Sequence, residues 1–141
     1  MTGLVWNPVQ ASVPAPGNGY YGCETGDLES STLVPGAKRF QISGGIVVRA
    51  IGCDGSVVVP AGVTAIGDGS FDSSALTSIS IPESVTRIGQ NAFYGTAGLT
   101  SISLPSSVTS IGDRAFSNAT SLVSISLPVG LTTIGASAFE V

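Results

Sequence analysis

The sequence predicts an all-β solenoid, on three observations. One phrase recurs at a fixed period: Leu76-Thr-Ser-Ile79-Ser-Ile81-Pro82 returns as Leu99-Thr-Ser-Ile102-Ser-Leu104-Pro105 and as Leu122-Val-Ser-Ile125-Ser-Leu127-Pro128, in steps of 23 residues. Such a period is the mark of stacked structural repeats. Within each copy apolar and polar residues alternate, Ile79 and Ile81 against Ser78 and Ser80, the pattern of a strand with one buried face. Pro60, Pro82, Pro105 and Pro128 each close a β-branched run, which excludes a helical bundle.

Taken in order, residues 1–55 read as an irregular N-terminal arm and cap. The first 36 residues are broken by Pro8, Pro14, Pro16, Gly17, Gly19, Gly22, Gly26, Pro35 and Gly36, a density that no long regular element survives. Trp6, Tyr20 and Tyr21 supply apolar bulk that a disordered tail would lack. A hairpin is expected at 40–51, where Gly44-Gly45 separates two strand-like runs and suits a turn of positive φ. Crossing the first coil, it would cover the apolar end that a stack exposes. Cys23 and Cys53, the two cysteines of the chain, flank this hairpin. They either form a disulfide pinning the cap to the first coil or remain separate thiols in a reducing compartment.

Residues 56–141 read as the solenoid, with four coils of about 23 residues, the first copy running from Val57 and one residue short. Each strand is followed by V/L-T-x-I-G and then A-F or its equivalent, so that Leu76, Ile79, Ile81, Val85, Ile88 and Phe93 form the apolar set of one coil. Gly89 is expected to provide a positive-φ bend. One coil buries too little to fold alone, and stacking must cover both its faces. The last coil reads as uncapped, which makes its edge a template for another strand. Val9, Ala11 and Val13 before Pro14 echo Ile125-Ser-Leu127-Pro128 and would serve as an assembly strand donated to a neighbouring molecule.

The consensus L-x-x-I-x-L-P-x-x-V-T-x-I-G-x-x-A-F resembles the BspA-like leucine-rich repeats, also called the Treponema pallidum class, over about residues 57–141. The resemblance implies a curved β-solenoid, a secreted or surface-anchored protein of bacterial origin, and adhesion to proteins, matrix or other cells. It also implies that outward side chains of the strand Ser78–Ile81 and its equivalents line a concave binding face. Where the family often has cysteine three residues after the Phe, this chain has Ser74, Thr96 and Ala119.

Composition excludes several functions. With 5 basic and 9 acidic residues in 141 and a net charge of -4, no basic stripe exists to bind nucleic acid or an anionic membrane. Aliphatic runs such as Ile46-Val47-Val48 are far short of the roughly 20 residues that insert across a bilayer. Met1 to Pro8 carry neither the basic nor the long apolar region of a signal peptide. Histidine is absent, which removes the usual general base and every Ser-His or Cys-His pair; no enzyme activity, metal or cofactor is expected. Asp68 and Asp113 share the I-G-D position two coils apart and read as solvated turn residues rather than a glycosidase pair. Gly17-Asn-Gly19-Tyr-Tyr-Gly22 fits G-x-G-x-x-G but lacks the strand and helix that a dinucleotide site needs. Glu24, Asp27 and Glu29 read as an acidic turn without calcium-loop spacing. Asn118-Ala-Thr120 is a glycosylation sequon.

What remains is a binding surface. Ser78, Ser80, Ser101, Ser103, Ser124 and Ser126 are expected to form a flat, uncharged hydroxyl patch on one sheet, and Thr64, Thr86, Thr109 and Thr132 a separate ladder. The reading is a non-enzymatic extracellular or cell-surface adhesion module that binds protein or glycan through the repeat sheet. The alternatives are a structural subunit that assembles head-to-tail into a homo-oligomer, filament or layer and, less favoured, an ice-binding solenoid whose threonine row orders water.

Overall fold

The computed structural model describes residues 16–28 and 38–141. Within them every regular element is a strand. In chain order they are β1 (Gly19–Gly22), β2 (Arg39–Ser43), β3 (Ile46–Ile51), β4 (Asp54–Val58), β5 (Ala65–Ile66), β6 (Ala75–Ser80), β7 (Arg87–Ile88), β8 (Ser101–Ser103), β9 (Ser110–Ile111), β10 (Ser124–Ser126) and β11 (Thr133–Ile134).

The cap is the first rung of the stack. β2 and β3 form a hairpin around Gly44 and Gly45, at φ 59° and 76°, the positive angles a tight hairpin turn requires. β1 lies antiparallel on the outer side of β2, and the Asn18 carboxamide accepts the Gly44 N–H at 2.8 Å. On its other side β3 runs parallel to β5, with Val47 opposite Ile66. From there the T-x-I-G strands continue in register, Ile66, Ile88, Ile111 and Ile134 side by side, so one seven-stranded sheet in the order β1-β2-β3-β5-β7-β9-β11 runs through the described molecule.

The serine strands do not form the single sheet expected for them. β4 pairs with β6 and β8 with β10, as two separate parallel pairs with no ladder between β6 and β8. The cause is the missing residue of the first copy, which falls between Phe71 and Leu76. There the chain passes directly into β6, whereas later coils first turn at residues 97–98 and 120–121. β6 accordingly aligns backwards on β4, through an irregularity at Gly55/Ser56.

Aromatic rings form the spine. Phe71, Phe93, Phe116 and Phe139 stack with centroids 5.4, 5.2 and 5.4 Å apart and interplanar angles of 3–8°. Phe40 and Tyr21 of the cap extend the column, at 6.4 Å from Phe71 to Phe40 and 6.1 Å from Phe40 to Tyr21. Parallel offset stacks of this kind stabilise beyond the apolar area they bury. Around each Phe the backbone donates from alternate residues to the next coil: Phe71 N–H to Ala92 O (2.8 Å), Phe93 N–H to Ala115 O (2.7 Å), Phe116 N–H to Ala138 O (2.7 Å). Two positions flanking the Phe take left-handed φ: Gly69, Asn91, Arg114 and Ser137 before it, and Ser73, Gly95 and Asn118 after it.

The glycine of T-x-I-G has a different role from the expected bend. Gly89 is not among the positive-φ residues. It is needed because coils meet there: a Cβ would fall on Asp68 Oδ1 and 2.7 Å from the Asp68 nitrogen, closer than any real side chain sits. Gly67, Gly112 and Gly135 repeat the contact. Cys23 and Cys53 are joined as a disulfide, Cα atoms 5.7 Å apart, tying the turn after β1 to the start of β4. Lys38 reinforces the same join with an exposed ion pair to Asp54 at 2.7 Å; hydrogen bonding and charge from Asp54 raise the lysine above its ordinary pKa.

Candidate functional site

Hydroxyl groups are abundant in the chain, and the structure sorts them into two kinds. One set holds coils together. Thr64, Thr86, Thr109 and Thr132 each donate Oγ1–H to the carbonyl that also accepts their own N–H, on Gly45, Thr64, Thr86 and Thr109, at 3.0–3.4 Å. Ser74 donates to Cys53 O (2.8 Å) and Ser107 to Val85 O (2.6 Å), while Ser84 Oγ accepts the Gly62 N–H (3.0 Å). The threonine row is thus a set of inter-coil fasteners, and its donors are not free to organise water.

The serine face is the other kind. Ser78 and Ser80 on β6, Ser101 and Ser103 on β8, and Ser124 and Ser126 on β10 are all exposed. Ser101 stands opposite Ser124 and Ser103 opposite Ser126. Among the described residues none of these six hydroxyls is hydrogen-bonded within the chain, and no charged residue lies on β6, β8 or β10. Their alternation with Ile79, Ile102 and Ile125, packed in or against the core, fixes which way the serines face. The arrangement offers rows of donor-acceptor groups in strand register, able to take hydrogen bonds from a partner but with no activated nucleophile, base or metal ligand set beside them.

Other residues singled out in the sequence have structural roles. Asp68 and Asp113 are exposed, but each Oδ1 accepts a backbone N–H from the next coil, Gln90 and Ala136 respectively, at 2.8 Å; they bridge adjacent coils rather than only meeting solvent. The second part of the glycine-rich segment, Gly19–Gly22, is β1, followed by a turn in which Gly22 N–H donates to Asp27 O (2.9 Å). That turn carries Glu24 and Asp27; Glu29 lies outside the described residues. No group of three or more metal-ligating side chains occurs among the described residues. Val9, Ala11 and Val13, the expected assembly strand, also lie outside them. At the last coil Leu127 and Ile134 are 44% and 48% exposed, where Leu104 and Ile111 one coil earlier are 5% and 1%.

A second surface was not read from the sequence. The turns around the Phe column enclose a polar cleft of about 460 Å³ lined by Asp72, Asn91, Tyr94, Arg114, Asn118 and Glu140. Its signal in the sequence was the residue after each Phe, which changes from Asp72 to Tyr94, Ser117 and Glu140 while the Phe itself is constant.

A family model described as "BspA type Leucine rich repeat region" matches residues 54–141 in six copies. Among solved structures, a T. pallidum leucine-rich repeat protein is 28% identical with a TM-score of 0.61, over 67% of this chain and 58% of its own. A leucine-rich cell surface protein from Faecalibacterium prausnitzii is 29% identical with a TM-score of 0.61, over 79% of this chain and 34% of its own. A leucine-rich repeat protein from Bacteroides capillosus, 24% identical with a TM-score of 0.61 over 74% of this chain and 88% of its own, shares the fold. The chain thus spans between about a third and three fifths of the length of the first two. None of the curated protein sequences matches it.

Proposed function

Because the chain belongs to the BspA-type leucine-rich repeat family, we propose that it is a non-catalytic interaction module that binds a protein or glycan through its serine face, outside the cell or at a bacterial cell surface. The observation that carries the reading is that the six serines of β6, β8 and β10 are exposed and unbonded within the described residues, with Ser101 and Ser103 in register with Ser124 and Ser126, whereas the Thr64, Thr86, Thr109 and Thr132 row is hydrogen-bonded between coils. A flat row of uncharged hydroxyls forms hydrogen bonds to a partner without the desolvation cost of buried charge. The surface assignment is supported by the description of the F. prausnitzii relative as a cell surface protein and by the Cys23–Cys53 disulfide, a bond that persists in oxidising compartments. No helix among the described residues is long and apolar enough to cross a membrane.

The test is a binding screen over immobilised extracellular-matrix proteins and glycans, repeated with the Ser101→Lys/Ser103→Lys variant. Exposed substitutions change stability by about 0.5 kcal/mol or less, so the variant remains folded; loss of the captured partner supports the reading, and unchanged affinity overturns it.

A further inference from the structure

We propose that the cleft on the Phe-turn face is a second binding site, for a neutral oligosaccharide, independent of the serine face. Its walls come from four successive coils: Asp72 from the first, Asn91 and Tyr94 from the second, Arg114 and Asn118 from the third, Glu140 from the fourth. The inter-coil hydrogen bonds around the Phe column fix the spacing of these residues, so the site is built on the rigid stack.

Asp72 Oδ1 accepts the neighbouring Ser73 hydroxyl at 2.8 Å, but the other polar groups keep hydrogen-bonding capacity. Asn118 Nδ2–H donates to Tyr94 Oη at 2.9 Å, which leaves the tyrosine hydroxyl hydrogen and the Asn118 amide oxygen available. Asn91 Oδ1 is buried without a hydrogen-bond partner, a state that ordinarily costs stability. Among the described residues the ion pair is Lys38–Asp54, so the Arg114 guanidinium is not neutralised by Asp72 or Glu140, although all three line the same cleft. Arg114 also sits at φ 56°, a backbone conformation rare for a long L side chain. Gly69, Asn91 and Ser137 take the same conformation in the other coils, so it belongs to the repeat turn and accepts glycine.

The chemistry selects the ligand class. Both signs of charge occur together, so neither a polyanion nor a polycation gains from the field. Donors (guanidinium, amide N–H, phenol) alternate with acceptors (carboxylates, amide oxygens), and a sugar hydroxyl donates and accepts at once. The half-buried Tyr94 adds an aromatic surface for the C–H side of a sugar ring, the mixture of one aromatic and a few convergent polar groups that orients small ligands. Three inter-coil steps separate Asp72 from Glu140, about 14 Å at strand spacing, which suits a chain of sugars rather than a single one.

The test presents the full chain to a printed array of neutral and anionic oligosaccharides and titrates the strongest neutral hit by calorimetry against the parent, Arg114→Gly, Tyr94→Ala and Ser101→Lys/Ser103→Lys. Glycine adopts φ 56° freely, so Arg114→Gly removes the guanidinium without endangering the fold, which thermal unfolding checks. The expected result is binding of neutral oligosaccharides, weakened roughly ten-fold or more by Arg114→Gly and by Tyr94→Ala and unchanged in the serine variant. No neutral binding, binding of anionic sugars alone, or a neutral hit that Arg114→Gly leaves untouched overturns the site. A hit lost only in the serine variant would do so while leaving the serine-face reading intact.

Discussion

Replacing Gly112 by alanine tests whether the T-x-I-G glycines exist for close approach between coils. A Cβ at this position would lie 2.6 Å from Gln90 N, 2.7 Å from Gly89 C and 2.9 Å from Gln90 Cα, all backbone atoms that no rotamer change can move. The coils must part locally, straining the Gly112 N–H to Ile88 O bond (2.8 Å) and the neighbouring Thr109 N–H to Thr86 O bond (2.8 Å). Overpacking costs about 1–3 kcal/mol, and one weakened backbone bond adds about 1 kcal/mol. A loss near 3 kcal/mol lowers the Tm of a domain this size by roughly 10 °C. Gly130→Ala is the matched control: its Cβ would meet only Ser106 O, at an ordinary 3.8 Å, and Gly130 is not a positive-φ residue. It should be neutral or stabilise by about 0.4–1 kcal/mol. Thermal unfolding followed by circular dichroism reads both; Gly112→Ala within about 0.5 kcal/mol of the parent, the range of ordinary surface changes, would refute the steric argument.

Three further outcomes follow from the packing. Phe93→Ala removes a fully buried ring from the middle of the column and should cost about 3–5 kcal/mol in urea unfolding; Phe139→Ala, at a partly buried position, should cost distinctly less. Reducing the Cys23–Cys53 bond, which spans 30 residues, should destabilise by about 3–4 kcal/mol of loop entropy, seen as a lower Tm in dithiothreitol and as faster proteolysis of the cap. Thr109→Val keeps the β-branched shape but deletes the hydroxyl that bonds Thr86 O at 3.2 Å, and should cost about 0.5–1.5 kcal/mol by denaturant titration. The Lys38 pair sets a sign for pH: with the lysine pKa raised by Asp54, its contribution is present below the ordinary lysine value of about 10.4 and is lost only as pH rises through the raised one. Lys38→Met should therefore leave the pH dependence of Tm unchanged near neutrality.

What the sequence made legible was whatever repeats locally. The 23-residue step, the alternation at Ile79 and Ile81, the prolines and the Gly44-Gly45 turn are carried by neighbouring residues, and they suffice for the family and the solenoid. Which strand row would form the continuous sheet was not local. Both rows have the apolar residues of a strand, and the choice depends on a one-residue deficit before Leu76 and on glycines that let the T-x-I-G rungs touch. Gly89 suggested a bend because a lone glycine usually marks one; only the distance to Asp68 in the previous coil shows the steric need. Asp68 and Asp113 looked idle for the same reason, since the N–H groups they accept from, on Gln90 and Ala136, belong to other coils. Tyr21 and Phe40 stand outside the repeat pattern, so their place in the ring column depends on the hairpin docking as a rung. The Phe-turn cleft was hidden because its residues vary, Asp72, Tyr94, Ser117 and Glu140 at one position, and variation within a column reads as noise until the coils are stacked.

Amide hydrogen exchange on the chain, free and saturated with the protein or glycan captured in the binding screen, tests the serine-face claim most directly. β8 and β10 form the paired serine rows, and their opening should slow when a ligand spans them. Added protection is expected in peptides covering Ser101–Ser103 and Ser124–Ser126, with the T-x-I-G strands Ser110–Ile111 and Thr133–Ile134 unchanged. Protection confined to those strands or to the cap, with none on β8 and β10, would contradict it.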